Sequence, residues 1–481
     1  MNHFSFRFPE DLFSQLMAHL FPGDNDEHGA IIAAGICETA RGTRFLARRL
    51  FIARKGIDYV PGRYGYRALT ADFVLRVSDY CARERLCYFS VHCHGGDDSV
   101  SFSSTDIASH RRGYPALLDI TQGGPVGALV FARNAVAGSI WTHSGVFTLD
   151  HAVVIGANLR VMRPNIAQLV AGVDPMFSRQ ALIFGADGQK RLAEAKIGII
   201  GLGGAGSLVS QWLVHLGIGE IVAIDPERLA PSNRSRVVGS TPWDAPRFLL
   251  EHRWTWVRRF AREIARPKVE IAARAARRAN PTVKVHKLFG DITLESFARE
   301  FRDVDYLFLC ADTHQCRHVF NSLVYQYLIP GMQMGSKVPV EKASGRVGDI
   351  FAVARPVLPS AGGGCLWCNG LISPVRLQDE ALTLAERARQ AYVDDPDVVA
   401  PSVITLNAVA CAQAVNDFLL GFFGLLVPNA SRGYLLNYGR ERHWSSIECR
   451  HDDSCPTCGA TPSSVFGRGD RGSLPCRKSG H

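Results

Sequence analysis

Apolar and polar positions change rhythm twice along the chain. Up to about residue 160 the apolar residues fall in short runs with few long helical patterns, which predicts a domain built of short strands. A helical stretch around Pro164–Gly172 follows, and residues 161–176 read as a linker. From residue 177 to 461 strand and helix patterns alternate, the mark of a doubly wound α/β domain. The remaining residues, 462–481, are rich in Gly, Ser and Arg and read as a flexible basic tail. The fold class expected is therefore α/β, an α+β first domain followed by a doubly wound second one.

Composition supports two or three domains. A chain of 481 residues with 47% apolar residues can build more than one core. The net charge of +9 is mild for this length and demands no nucleic acid. No apolar run approaches the roughly 18 residues of a membrane span. Met1–Leu20 mixes charged with apolar residues, unlike a signal peptide, so a cytoplasmic protein is expected. Thirteen scattered cysteines argue against a disulfide framework.

The stretch "SVHCHGGDDSVSFSSTD" (90–106) carries candidate chemistry. "LCYFSVHCH" is rich in aromatic and β-branched residues and reads as a strand. Alternate residues of a strand share a face, so His92 and His94 project together while Cys93 points into the core. Two imidazoles on one face can chelate one zinc. Asp106, at the start of the next helix, would complete a three-ligand set with an open position for water. The S-x-x-D spacing of Ser103 and Asp106 also describes a helix capping box.

H-x-H followed by S-x-x-D resembles the JAMM (JAB/MPN) metalloproteases over the first third of the chain. The resemblance implies that His92, His94 and Asp106 hold Zn²⁺ and that Ser103 stabilises an oxyanion. It implies that Glu27, ahead of the apolar strand in "EHGAIIAAG", is the general base, with Asp26 beside it. Gly95 stands where the family often has proline. The family's substrate is the peptide or isopeptide bond after the C-terminus of a ubiquitin-like protein.

"AKIGIIGLGGAGSLVSQWLVHLGIGEIVAID" reads as strand, glycine loop, helix and second strand. Gly201, Gly203, Gly204 and Gly206 let the backbone approach a nucleotide, and Asp225 can take ribose hydroxyls. A nicotinamide dehydrogenase would share these features. The flanks do not fit one: Asn233 and Arg236 form N-x-x-R, Lys268 opens "KVEIAARAARRANP", and "YLFLCADTHQCR" places Asp312 after another buried strand.

In this order the motifs resemble the ubiquitin-activating-enzyme family, and among its branches the bacterial ThiF/MoeB adenylyltransferases, over about 177–459. "FSRQ" matches the entry motif and places Arg179, which in homodimers of the family serves the neighbour's ATP site. The resemblance implies ATP and Mg²⁺ as cofactors, with Asn233, Arg236 and Lys268 on the nucleotide and Asp312 near the metal. Cys365/Cys368 and Cys455/Cys458 form two C-x-x-C pairs, a strong signal for a closed structural zinc. No cysteine lies between Cys368 and Ala400, where thioester-forming relatives carry one. Cys411 lies in an apolar helical pattern and reads as an inert core thiol. Ser402 and Thr405 are the nearby hydroxyls.

The expected protein is bifunctional. It adenylates the C-terminal glycine tail of a ubiquitin-like protein and cleaves after that tail, with a conjugating enzyme among its partners and a homodimer as its assembly. The alternatives are sulfur-carrier activation for thiamin, molybdopterin or cysteine biosynthesis, and a non-catalytic scaffold for a ubiquitin-like tail. Residues 242–268, basic and aromatic, read as an amphipathic helix with a solvated face, or else as a dock for an acidic partner.

Overall fold

The computed structural model describes residues 3–24, 26–61, 68–165, 172–341, 344–360, 364–381, 401–427, 433–459 and 461–478. Two mixed sheets organise them. The first has nine strands: β1 (Phe4–Pro9), β2 (Gly29–Thr39), β3 (Gly42–Ile52), β4 (Cys87–Cys93), β5 (Val126–Phe131), β6 (Val136–Thr142), β7 (Gly145–Thr148), β8 (His151–Ile155) and β9 (Arg160–Met162). Their order is β7-β6-β5-β4-β2-β3-β1-β8-β9. On one face Phe6, Phe8, Phe45 and Phe89 pack against the helix Glu10–Leu20. On the other, the helices Ala71–Glu84 and Ser104–Ile120 cover Ile31, Tyr88 and Ala128.

Those two helices, of 14 and 17 residues, are longer than the short-run reading predicts. The first buries Phe73, Val77 and Cys81, a clean four-residue spacing set among charged neighbours. The second carries Gly113 and Pro115 internally, and these mask its pattern. Of the helical stretch expected at 164–172, residues 166–171 lie outside the described residues.

The second sheet has eight strands: β10 (Lys196–Ile200), β11 (Glu220–Ile224), β12 (Lys284–Leu288), β13 (Tyr306–Leu309), β14 (Gly331–Lys337), β15 (Phe351–Val357), β16 (Tyr434–Tyr438) and β17 (His443–Ile447). Their order is β12-β11-β10-β13-β14-β15-β16-β17. The first five are parallel and the rest antiparallel. The helices Gly204–His215, Lys268–Ala279 and Ile404–Phe422 cover one face, and His314–Gln326 covers the other. This is the Rossmann-type α/β arrangement that the alternation predicts. Ile404–Phe422 is long and apolar enough to cross a membrane by composition. It packs Ala410, Cys411, Ala414 and Phe418 into this core.

The first sheet meets the N-terminal edge of the parallel strands. Arg7 in β1 donates to Leu328 O (2.8 Å), Val304 O (3.2 Å) and the Asp305 carboxylate (3.3 Å). Arg41 and Arg44 reach the backbone at 302–304 and the same carboxylate. The segment read as a flexible tail is instead wedged at this junction. Gly469 bridges Ile36, Asp470 pairs with Arg302, Arg468 pairs with Glu84, and Phe466 is buried. Glycine is what permits it: a Cβ on Gly35 would sit 2.0 Å from Gly467 O. Composition counted these glycines as flexibility, but they allow close backbone contact.

Candidate functional site

The first candidate site gathers at one end of β4. Gly29 pairs with His92, so the start of β2 places Glu27 beside the histidines. Cys93 is buried against Leu20 O, as strand alternation requires. His92 Nε2 lies 3.2 Å from His94 Nε2 and 3.5 Å from Asp106 Oδ2, and His94 Nε2 lies 3.4 Å from that oxygen. Ligands at about 2.0–2.1 Å from a tetrahedral zinc lie about 3.3–3.4 Å from one another. The three atoms therefore fit one face of such a coordination shell. Glu27 Oε1 stands 3.9 Å from His94 Nε2, outside the triad.

Electrostatics separate the two carboxylates. Burial alone would raise Asp106, but hydrogen bonds from His92 and Ser103 outweigh it and hold that carboxyl well below the usual range. Burial pushes Glu27 up, against the pull of both histidines. A cleft of about 580 Å³ opens beside His94, lined by Ser99–Phe102 and Gly138.

The capping box is present as well. Ser103 Oγ accepts from Asp106 N (3.1 Å), and Asp106 Oδ2 accepts from Ser103 N (2.8 Å) and Oγ (2.7 Å). The cap and the candidate ligand set thus share Asp106, and the cap fixes the carboxylate that faces the histidines. As placed, Ser103 donates its proton to Asp106, so an oxyanion role requires the hydroxyl to turn.

The second candidate site lies at the C-terminal edge of the parallel strands. Gly201 has φ +89°, and a Cβ on Gly206 would sit 1.9 Å from Gly201 O, so both positions need glycine. A Cβ on Gly203 would meet nothing within 4 Å, so the loop is open there. The helix Gly204–His215 aims its free N–H groups into this space. Asp225 follows β11, buried, accepting from Leu202 N (2.7 Å) and Glu227 N (2.8 Å). Burial pushes its carboxyl up, against the pull of Lys268.

Lys268 begins its helix, buried, with Nζ 4.0 Å from Asp225 Oδ1 and ion-paired to Glu227. Asn233 and Arg236 share one turn, with Arg236 N donating to Asn233 O (3.0 Å), and the Arg236 stem lies over Gly204. Asp312 follows β13 on the same edge, next to Ala311, which abuts Gly201. Arg179 is not brought here. Its neighbours Phe177 and Gln180 pack at the far end of the helix Gly204–His215, about 18 Å along at 1.5 Å per residue.

Sequence reasoning missed Asn407. It is buried in the long helix, with Nδ2 against Gly204 and bonded to Ser402 Oγ (3.1 Å), and its Oδ1 accepts from Ser336 (2.6 Å). A lone asparagine in the apolar run "ITLNAVAC" was the signal available. Thr405 is exposed.

The four paired cysteines converge. Sγ–Sγ distances are 3.7 Å (Cys365–Cys368), 3.6 Å (Cys365–Cys455) and 3.5 Å (Cys368–Cys458). Thiolates at about 2.3 Å from a tetrahedral zinc lie about 3.8 Å apart, so the cluster fits a closed site. Every other cysteine is held above the ordinary thiol range by burial, Cys411 to about 12 and Cys316 to about 11. None of them is an activated thiolate. The crossover residues 382–400 lie outside the described residues.

Residues 242–268 form short helices whose Arg258, Arg259 and Arg262 are solvated or half-solvated. Trp256 is 66% and Phe260 53% exposed, which a plain solvated basic face does not explain.

The part of the chain that carries this second site has known relatives. Over 287 residues the chain is 24% identical to the sulfur carrier protein ThiS adenylyltransferase of Escherichia coli (strain K12), covering 59% of this chain and 95% of that protein. Over 285 residues it is 28% identical to the protein of the same description from Bacillus subtilis (strain 168), covering 59% and 71%. The sulfur carrier protein adenylyltransferase of Thermus thermophilus is 24% identical over 290 residues, covering 60% and 91%. The model of the ThiF family matches residues 177–457, more than half of the 481, and the chain belongs to the ThiF family.

Proposed function

We propose that the second half of the chain adenylates the C-terminal glycine of a ubiquitin-like carrier protein, using ATP. The observation that carries this reading is the convergence of Asp225, Arg236, Lys268 and Asp312 around an open glycine loop at a helix N-terminus. The carrier's terminal carboxylate attacks the α-phosphorus of ATP, the bond to the β-phosphate oxygen breaks, and pyrophosphate leaves. Negative charge grows on the α-phosphate and on the leaving group. Arg236 and Lys268 meet it with positive charge already in place. Asp225 holds the ribose hydroxyls, Asn233 fixes the turn that carries Arg236, and Asp312 is the residue that would help hold Mg²⁺. The named activity of the relatives on sulfur carriers favours a carrier of that kind. With every described thiol outside the four-cysteine cluster deactivated, the adenylate passes directly to the next acceptor.

The first half is read as a JAMM-like domain in which His92, His94 and Asp106 hold zinc. Bound there, zinc would bring the pKa of its water toward neutrality and polarise the scissile carbonyl. Glu27 would take a proton from the attacking water as its oxygen bonds to the scissile carbonyl carbon, and pass it to the leaving amine as the C–N bond breaks. The cleft beside His94 accepts the extended tail. This activity favours a carrier of that kind that is made as a precursor or is conjugated, because a mature, unconjugated carrier leaves no bond to cut.

Lys268→Ala tests the adenylation. By analogy with one lost oxyanion donor, its removal should cost about 2.7–4 kcal/mol of barrier. Carrier-dependent ATP–pyrophosphate exchange should fall roughly 10²–10³-fold, while cleavage of a carrier fusion stays at the wild-type rate. Exchange at the wild-type rate would remove Lys268 from the reaction. Arg179 stands far from its own chain's loop and is read as serving a second copy. Arg179→Ala mixed with Lys268→Ala should therefore regain exchange activity, since a mixed dimer holds one complete site. A mixture no more active than the sum of its parts would place Arg179 outside the reaction.

A further inference from the structure

The junction of the two halves encloses a cavity of about 170 Å³ that neither proposed activity uses. Its walls bring four guanidiniums together. Arg7, Arg41 and Arg163 come from the first sheet and its margins, and Arg191 comes from the helix Ala181–Glu194. The negative charge available is smaller. Asp305 is shared by Arg7 (3.3 Å), Arg41 (3.1 Å) and Arg44 (3.4 Å). Glu194, the second acid in the wall, is turned to Lys190 at 3.9 Å.

Arg191 and Arg163 are the least engaged of the four cations. Arg191 gives one N–H to Phe422 O (2.8 Å) and lies over the Phe422 ring. The Arg163 side chain makes no hydrogen bond or ion pair among the described residues. His151 lines the same space, and burial, reinforced by Arg163 and Arg44, pushes its imidazole down to about 4. It is therefore a neutral N–H donor and adds no charge. Excess positive charge in a half-enclosed space is costly unless an anion is supplied, and guanidiniums pair best with bidentate oxyanions.

We propose that this cavity binds a small, multiply charged oxyanion of the phosphate or pyrophosphate class, held by Arg163 and Arg191 with Arg7 and Arg41 behind them. Its size argues for so small a ligand, since sites for drug-sized molecules begin at about 300 Å³. The anion would bridge the β8–β9 margin of the first sheet to the helix Ala181–Glu194 and so fasten the two halves together. The cavity lies at the N-terminal edge of the parallel strands, beside Ala195 and Asp305, and the glycine loop lies at the opposite edge. The inference does not depend on either proposed activity.

Calorimetric titration of the full chain tests it. Sodium phosphate and sodium pyrophosphate are titrated separately at fixed ionic strength, with a non-hydrolysable ATP analogue saturating the glycine loop. Saturable binding of one anion per chain is expected, weakened at least tenfold in Arg163→Ala/Arg191→Ala, with exchange activity unchanged. Arg163→Gln alone, at an exposed position, keeps the test open if the double variant folds poorly, and it too should weaken binding. Tighter phosphate binding would identify the cell's free phosphate as the source, and tighter pyrophosphate binding the product of adenylation. Heat that follows ionic strength only, or equal affinity in the wild type and both variants, would overturn the site.

Discussion

Cys455→Ser should leave the second half of the chain unfolded or severely destabilised and free of its structural metal. The four sulfurs stand 3.5–3.7 Å apart along three measured edges, and Cys365, Cys455 and Cys458 are buried in the core that also holds Tyr325, Leu366 and Phe466. Structural zinc contributes about 10–16 kcal/mol of apparent binding free energy to folding in small zinc modules. That is comparable to the whole stability of an ordinary domain, about 5–15 kcal/mol. The damage should spread, because the chain passes from Cys458 directly to Phe466 and Gly469, which wedge between the halves. Thermal unfolding with zinc analysis measures this. A Cys455→Ser protein that melts like wild type without the metal would remove zinc from the assignment.

Glu27→Ala should abolish cleavage while sparing metal and adenylation. Glu27 is outside the triad, so zinc content should not change. Its loss removes the group that moves the proton, worth roughly 10²–10⁴-fold in general acid–base catalysis. His92→Ala should lose cleavage and metal together. The readout is cleavage of a fusion carrying extra residues after the carrier's terminal glycine, without ATP. If Glu27→Ala cuts as fast as wild type, Glu27 is not the base, and Asp26 is the next residue to test.

How much of this was legible depended on whether function was written in local spacing. His92 and His94 sit two apart at the end of a strand, Ser103 and Asp106 sit three apart at a helix start, and each C-x-x-C closes on its partner. Such spacings survive without knowledge of the fold. Asn407 was not legible, because its meaning comes from Gly204, some two hundred positions away, and only packing brings them together. The segment 462–478 was misread for a related reason. Gly469 looks like flexibility in composition, but a Cβ there would sit 2.1 Å from Ile36 O, so it permits close backbone contact. The helix Ser104–Ile120 was obscured by Gly113 and Pro115, which tertiary packing overrides.

The proposed adenylation joins AMP to a carrier's terminal glycine. Mass spectrometry of a glycine-ending ubiquitin-like carrier, incubated with the full chain and ATP, tests it most directly. The expected product is a carrier heavier by one adenylyl group, absent with Lys268→Ala, with no thiol-sensitive adduct between carrier and enzyme. A carrier of unchanged mass, with ATP consumed or not, would contradict it.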